Sequence, residues 1–160
     1  MYEEDFYKNG IAPHLCDLKI SRQPRLAGIK HLNRLENVIA AGECQAAGAP
    51  EGLLQDEEGF VISGTRSNLF AVYGGRLSTP DLSASGVAGV QRDRVIAWAE
   101  QSGVHCAVAR LKLSDLLGAD EIFLVNSVFG LWPVARLQGK DFNRREISLT
   151  IQSWLNDAQN

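Results

Sequence analysis

Among residues whose type and spacing could do chemistry, Lys30 stands first, in the run Leu26-Ala27-Gly28-Ile29-Lys30-His31-Leu32-Asn33-Arg34-Leu35-Glu36. The chain has five lysines: Lys8, Lys19, Lys30, Lys112 and Lys140. Only Lys30 follows a glycine with apolar residues on both sides, between an extended segment and the pattern Leu32, Leu35, Val38, Ile39 of a helix. An amine held among apolar side chains is favoured in its neutral form, a nucleophile able to form a Schiff base with a carbonyl compound. On position alone the commoner reading is a lysine whose stem lies on apolar neighbours and whose ammonium stays in water.

Three loops could complete such a site. Ser63-Gly64-Thr65-Arg66-Ser67-Asn68 links two apolar strands and reads equally as a surface turn. Gly86-Val87-Ala88-Gly89-Val90-Gln91 runs through small residues into a helix, where free backbone amides suit an anion such as phosphate. It is neither a Walker motif nor a GxGxxG fingerprint, and a plain helix entry is the alternative. Val125-Asn126-Ser127-Val128-Phe129-Gly130 ends an apolar strand, with Asn126 and Ser127 as ligand groups or turn formers. A Schiff-base lysine beside an amide-lined phosphate cradle is what pyridoxal phosphate requires, together with a partner for its ring nitrogen.

The elements that must position these groups follow from periodicity. Residues 15–21 read as a strand with Cys16, Leu18 and Ile20 on one face. The pattern predicts a helix over 31–46, closed by Gly48 and Pro50. Strands follow at Leu53-Leu54, Phe60–Ile62, Asn68–Tyr73 and Arg76-Leu77, with turns at Asp56–Gly59 and Gly74-Gly75. A helix over 90–102, a strand near 104–112 and a short helix with Ser114 as its N-cap come next. Glu121–Val125 reads as a buried strand and Arg136–Lys140 as a hairpin turn. The chain closes with a helix carrying Ile147, Ile151, Trp154 and Leu155 on one face. The fold class is mixed α/β in one domain, 1–160, with strands too broken by hairpins for a doubly wound sheet.

Composition narrows the function classes. The chain has 160 residues, 45% apolar, with net charge −3 and a pI near 5.6. Scattered arginines leave no phosphate-backbone footprint, so nucleic acid is not an expected partner. No apolar run reaches membrane-spanning length, and MYEEDFYKNG lacks the pattern of a signal peptide. Cys16, Cys44 and Cys106, and likewise His14, His31 and His105, are dispersed. Reduced thiols in the cytoplasm are expected, with neither disulfide nor metal site.

The set as a whole resembles the fold-type IV pyridoxal-phosphate enzymes, which include aminodeoxychorismate lyases and branched-chain and D-amino acid aminotransferases. The lysine motif looks like that of the lyases. Ser67-Asn68-Leu69-Phe70, Gly86–Arg92, Ala119–Phe123 and Pro133-Val134 follow in family order and spacing, from about residue 5 onward. The resemblance implies a β-rich pseudo-barrel surrounded by helices, a small-molecule substrate and a homodimer. It implies that Lys30 holds pyridoxal phosphate covalently and then moves protons. Val90 and Gln91 would present amides to the phosphate, Ser127 would offer it a hydroxyl, and Arg92 would be either a ligand contact or a structural ion pair.

Two departures carry consequences. The family places a glutamate against the pyridine nitrogen, and counting back from Asn68 that position is Ser63. Serine can hydrogen-bond the nitrogen but brings no negative charge, which weakens the electron sink. An elimination ending in an aromatic product tolerates this better than a transamination. The family's subunit also begins with another α/β domain that completes the active-site cleft. The sequence in hand matches the second domain, so this chain by itself is expected to turn over little and to associate through exposed apolar surface.

Overall fold

The computed structural model describes residues 4–157, so the first three residues of the segment read for a signal peptide lie outside the described residues. A short helix α1 (Glu4–Lys8) precedes strand β1 (His14–Ile20) and helix α2 (Leu35–Ala46). Then come β2 (Gly52–Asp56), β3 (Phe60–Gly64), β4 (Asn68–Tyr73), β5 (Arg76–Pro80) and helix α3 (Val90–Gln101). The chain continues through β6 (Cys106–Ala109), β7 (Leu111–Lys112), α4 (Leu113–Leu117), β8 (Glu121–Asn126) and β9 (Gly130–Pro133). It ends with the hairpin β10 (Arg136–Leu137) and β11 (Lys140–Asp141), then α5 (Glu146–Asp157). The mixed α/β class is as the sequence indicates.

Two larger sheets form, ordered β1-β2-β3-β7 and β6-β5-β4-β8-β9, beside the two-stranded β10-β11. Alternation along the strands sorts their side chains into layers. Leu69 and Ala71 of β4, with Ile122 and Leu124 of β8, join Leu53, Val61 and Leu111 of the other sheet in one core. Their neighbours Phe70, Val72, Phe123 and Val125 point the other way, onto Val95 and Trp98 of α3 and Ile151 and Leu155 of α5. On the outer side of the first sheet, Leu54 and Cys16 pack on Ala40 and Cys44 of α2. The order is therefore helix, sheet, sheet, helices. β4 and β8 are buried on both faces, which is why they read as continuous apolar runs.

Three expectations need correction, and two elements went unanticipated. Helix α2 begins at Leu35 rather than near 31, and Arg34 before it is not helical (φ −116°, ψ 21°). The pairing of Gly28 with Val87 fixes the backbone ahead of the helix in a non-helical course, and Leu32, fully exposed at 100%, has no core to draw it into a turn. The single strand expected at 104–112 is two. β6 pairs with β5, β7 pairs with β3, and the chain changes sheets at Arg110. Ser114 lies inside α4, and the Asp115 carboxylate accepts the Lys112 N–H at 2.7 Å at the helix start. Finally, α1 and β9 carried no sequence signal strong enough to be anticipated.

The three cysteines are free. Cys16 and Cys44 face each other with their sulfurs 3.9 Å apart, and burial, reinforced by Cys44, pushes the Cys16 thiol up to about 12. Glu121 ties the C-terminal helix to the sheet. Its buried carboxylate accepts the N–H groups of Ile147 at 3.1 Å and Ser148 at 2.9 Å, at the start of α5. We expect Glu121→Ala to destabilise the fold by about 3 kcal/mol, because two amides lose a charged acceptor. Glu121→Gln should cost clearly less. Denaturant midpoints of the two variants check this.

Candidate functional site

The site forms where four connections meet at one end of the two sheets: the segment before α2, the β3–β4 link, the entry to α3 and the turn after β8. They enclose a cavity of about 420 Å3. Lys30, Ser63, Val90, Gln91 and Ser127 all line it, with Arg34 and Thr65 among the remaining wall residues. The five positions singled out from the sequence, spread from residue 30 to residue 127, thus border one space.

Backbone pairing fixes the lysine segment against the small-residue loop. Gly28 N–H donates to Gly86 O at 3.0 Å, and Ala88 N–H donates to Gly28 O at 3.1 Å. Gly28 sits at φ +80° and Gly86 at φ +86°, backbone conformations that side-chain-bearing residues rarely adopt. This short parallel bridge sets Lys30 two residues from the loop that leads into α3.

Helix α3 starts without a side-chain cap. The first intrahelical bond runs from Asp93 N–H to Gly89 O, and the amides of Val90 and Gln91 have no acceptor among the described residues. Asn68 aims this helix end. Its Nδ2 donates to Val87 O at 2.8 Å and its Oδ1 accepts Gly89 N–H at 3.1 Å. A Cβ on Gly89 would stand 2.5 Å from that same Oδ1, so a side chain there would displace Asn68 from its contact. Arg92 is structural. It is buried, with its guanidinium donating to Thr79 Oγ1 and Pro80 O, and burial lowers its affinity for the proton while Asp93 opposes the shift.

The β3–β4 link is not a surface turn. Ser63, Thr65, Ser67 and Asn68 are all buried. Sequence reading missed the group that organises them, Glu51, just before β2. Its carboxylate is 1% exposed and accepts the N–H groups of Gly52 and Thr65 at 2.9 Å each. It also accepts the hydroxyls of Thr65 and Ser67. From α2, Asn37 Nδ2 donates to Thr65 O at 2.8 Å. From β8, Asn126 Nδ2 donates to Arg66 O at 3.2 Å. Asn126 Oδ1 also accepts the Val128 and Phe129 amides, which shapes the turn bearing Ser127. Asn126 is thus the turn former, and Ser127 the exposed group at the rim.

Lys30 itself is exposed, which corrects the expectation of a desolvated amine. The apolar residues meant to cover it are themselves open: Leu26 at 40%, Ile29 at 54% and Leu35 at 71%. Val38 and Ile39 of α2 face outward with them. The lysine has backbone placement without an apolar enclosure. Among the described residues no cluster of His, Cys, Asp and Glu could hold a metal ion, and no helix is long and apolar enough to cross a membrane.

Asn68 offers a direct test of how the cradle is held. Replacing it with Ala removes both ties to the Val87–Gly89 backbone. We expect the Gly89 and neighbouring amides to exchange hydrogen at least about tenfold faster, with a global loss of about 1–2 kcal/mol. Native-state hydrogen exchange read at these amides checks it.

Comparison with known proteins identifies the family. Residues 3–137 match the amino-transferase class IV family. The chain is 35% identical over 153 residues to the aminodeoxychorismate lyase of Vibrio harveyi, covering 93% of this chain and 56% of that one. The crystal structure of 4-amino-4-deoxychorismate lyase from Pseudomonas aeruginosa superposes with a TM-score of 0.94 at 42% identity, over 98% of this chain and 58% of that one. A T.th. branched-chain amino acid aminotransferase, solved with pyridoxamine 5'-phosphate, gives a TM-score of 0.83 at 26% identity, over 98% and 53%. The chain therefore spans little more than half the length of these relatives, and it belongs to the amino-transferase class IV family.

Proposed function

We propose that this domain binds pyridoxal phosphate and, within a longer protein, takes part in converting aminodeoxychorismate to p-aminobenzoate, a folate precursor, and pyruvate. The observation that carries the reading is the convergence of Lys30, two free helix amides and two serine hydroxyls on one cavity. The donor set fits the cofactor. Unpaired amides at the start of the 12-residue helix α3 suit a phosphate, and the close approach of Gly89 to Asn68 holds them in a fixed cradle.

When bound, the cofactor supplies an electron sink for the pair of electrons released at the amine-bearing carbon of the substrate. The protein's own groups do the rest. Lys30 Nζ would anchor the cofactor's carbonyl and serve as the proton carrier at that carbon. The Val90 and Gln91 amides and the Ser127 hydroxyl would bind the phosphate. Ser63 Oγ would be the partner of the ring nitrogen. Its own hydrogen is engaged with Gly64 O at 2.8 Å, so towards a ring N–H it acts as an acceptor without charge.

Aminotransfer on the same scaffold is the second reading, favoured by likeness to the aminotransferase solved with pyridoxamine 5'-phosphate. The neutral Ser63, a lyase match that runs over 93% of the chain and the 42% identity to a solved lyase favour elimination. The exposed apolar face formed by Ile29, Leu32, Leu35, Val38 and Ile39 is where we place the remainder of the longer protein or a second subunit. Cover on that face would also enclose the Lys30 amine. We place the protein in the cytoplasm, as a homodimer.

Borohydride reduction of the chain with pyridoxal phosphate, followed by peptide mass mapping, should label Lys30 selectively, and Lys30→Ala should abolish that label. Label on another lysine instead would remove the assignment. Ser127→Ala should weaken pyridoxal phosphate binding about fivefold to tenfold, the worth of one exposed charged hydrogen bond. In a full-length protein, release of pyruvate without an amino acceptor would separate lyase from aminotransferase.

A further inference from the structure

The walls of the Lys30 cavity carry three cations, Lys30, Arg34 and Arg66, and no aspartate or glutamate among the described residues. One carboxylate nevertheless stands directly behind a wall. Glu51 is 1% exposed and does not line the cavity, but Thr65 and Ser67, whose hydroxyls donate to it, do. Gly64, the residue after Ser63, lines the cavity as well. A Cβ on Gly64 would stand 3.3 Å from Glu51 Cδ, so the carboxylate abuts the backbone next to Ser63. Strand pairing fixes that approach, with Leu53 opposite Gly64 and Leu54 opposite Ser63.

The same bonds set the polarity of this wall. The hydrogens of Thr65 Oγ1 and Ser67 Oγ go to Glu51, and that of Ser63 Oγ goes to Gly64 O at 2.8 Å. The three hydroxyls are left with acceptor capacity only, which suits a ligand N–H and not a bare nitrogen. Arg66 is the cation paired with Glu51, its Nε 3.5 Å from Oε2. The Arg66 side chain is 50% exposed whereas that of Glu51 is wholly buried, so water screens the cation more than the anion. Cys16 and Cys44, which also feel the Glu51 charge, are neutral thiols, since burial foremost, with Glu51 contributing, raises both.

We propose that Glu51 is a positioning residue for the cofactor's ring nitrogen: its buried charge, held behind Ser63 and Gly64 by the Thr65 and Ser67 hydroxyls, keeps that nitrogen protonated although its immediate partner is a neutral serine. A nearby anion favours the cationic form of the ring, and a wall of acceptors favours an N–H. The charge acts through the wall, at longer range than a carboxylate in direct contact, so it restores part of the electron sink that Ser63 by itself lacks. The inference rests on the cofactor reading, with Ser63 as the ring-nitrogen partner.

Pyridoxal phosphate isotopically labelled at its ring nitrogen, bound at saturation to the 160-residue chain, tests the proposal by nuclear magnetic resonance across a pH series. The shift of that nitrogen reports its protonation directly and without turnover. Its pH midpoint should lie at least about one unit above that of the same cofactor condensed with a simple alkylamine in water. Glu51→Gln, which keeps the shape and removes the charge, should lower the midpoint by about one unit. Glu51→Asp, which keeps the charge and alters the shape, should stay closer to the unaltered chain than Glu51→Gln does, whereas a merely structural role predicts the reverse order. If Glu51→Gln does not fold, the unaltered chain against the free compound decides, because neutral hydroxyls beside Arg34 and Arg66 would by themselves lower the midpoint. A midpoint at or below that of the free compound, one unmoved by Glu51→Gln, or the reverse order of the two variants overturns the proposal while leaving the cofactor reading intact. Failure of the cofactor to bind overturns both.

Discussion

The parallel pairing of Gly28 with Val87 is the constraint on which the rest of the site depends. Two backbone hydrogen bonds, near 3 Å each, join a segment leaving β1 to a segment leaving β5. Together with the bond from Gln23 N–H to Ala84 O at 2.7 Å, it gives the two loops a common frame although β1 and β5 belong to different sheets. With it, the backbone at Lys30 and the open end of α3 are set on one cavity by backbone pairing alone. That is a more durable arrangement than one set by exposed side chains, which can rotate freely. Both strained glycines of the bridge, Gly28 and Gly86, follow from the same need, because the backbones meet there at positive φ.

Around this frame, buried polar side chains take the part that apolar packing takes elsewhere. Glu51 gathers the β3–β4 link, Asn68 fixes the entry to α3, and Asn126 shapes the turn after β8. Each is satisfied by backbone groups of a neighbouring loop, so each specifies one loop conformation instead of merely adding cohesion. The cores between and outside the two sheets supply the rigidity behind them. The result is a polar cavity rim on an apolar scaffold, where a charged ligand group meets donors already in place.

Much of this was legible in the sequence, and the failures have physical causes. β4 and β8 stood out because burial on both faces removes alternation and leaves an apolar run. Lys30, Val90, Gln91 and Ser127 could be singled out because glycine, small residues and strand ends mark where the backbone must open. Glu51 could not. Its partners Thr65 and Ser67 are distant in sequence, and a lone glutamate before a strand looks like any solvated charge. The start of α2 was misread because Leu32, Leu35, Val38 and Ile39 mimic a core-facing helix, while in this chain they face outward. Periodicity reports an apolar surface without saying what covers it. The strand expected at 104–112 failed for a topological reason, since a change of sheet at Arg110 leaves no mark in local composition.

The exposed apolar side chains beside Lys30 connect the fold to the proposed chemistry. The lysine's backbone is fixed within this domain, whereas the enclosure that favours a neutral amine is not. On the proposed reading, this domain carries the groups that anchor the ligand. The central claim is that one ligand is grasped at both ends, by Lys30 and by the start of α3. Titration of pyridoxal phosphate into the isotopically labelled chain, read at every backbone amide, tests this most directly. The account predicts the largest shifts together at Val90, Gln91 and the Gly28–Lys30 segment, saturating at one concentration. Saturation with those amides unmoved, or with the two segments responding at different concentrations, would contradict it.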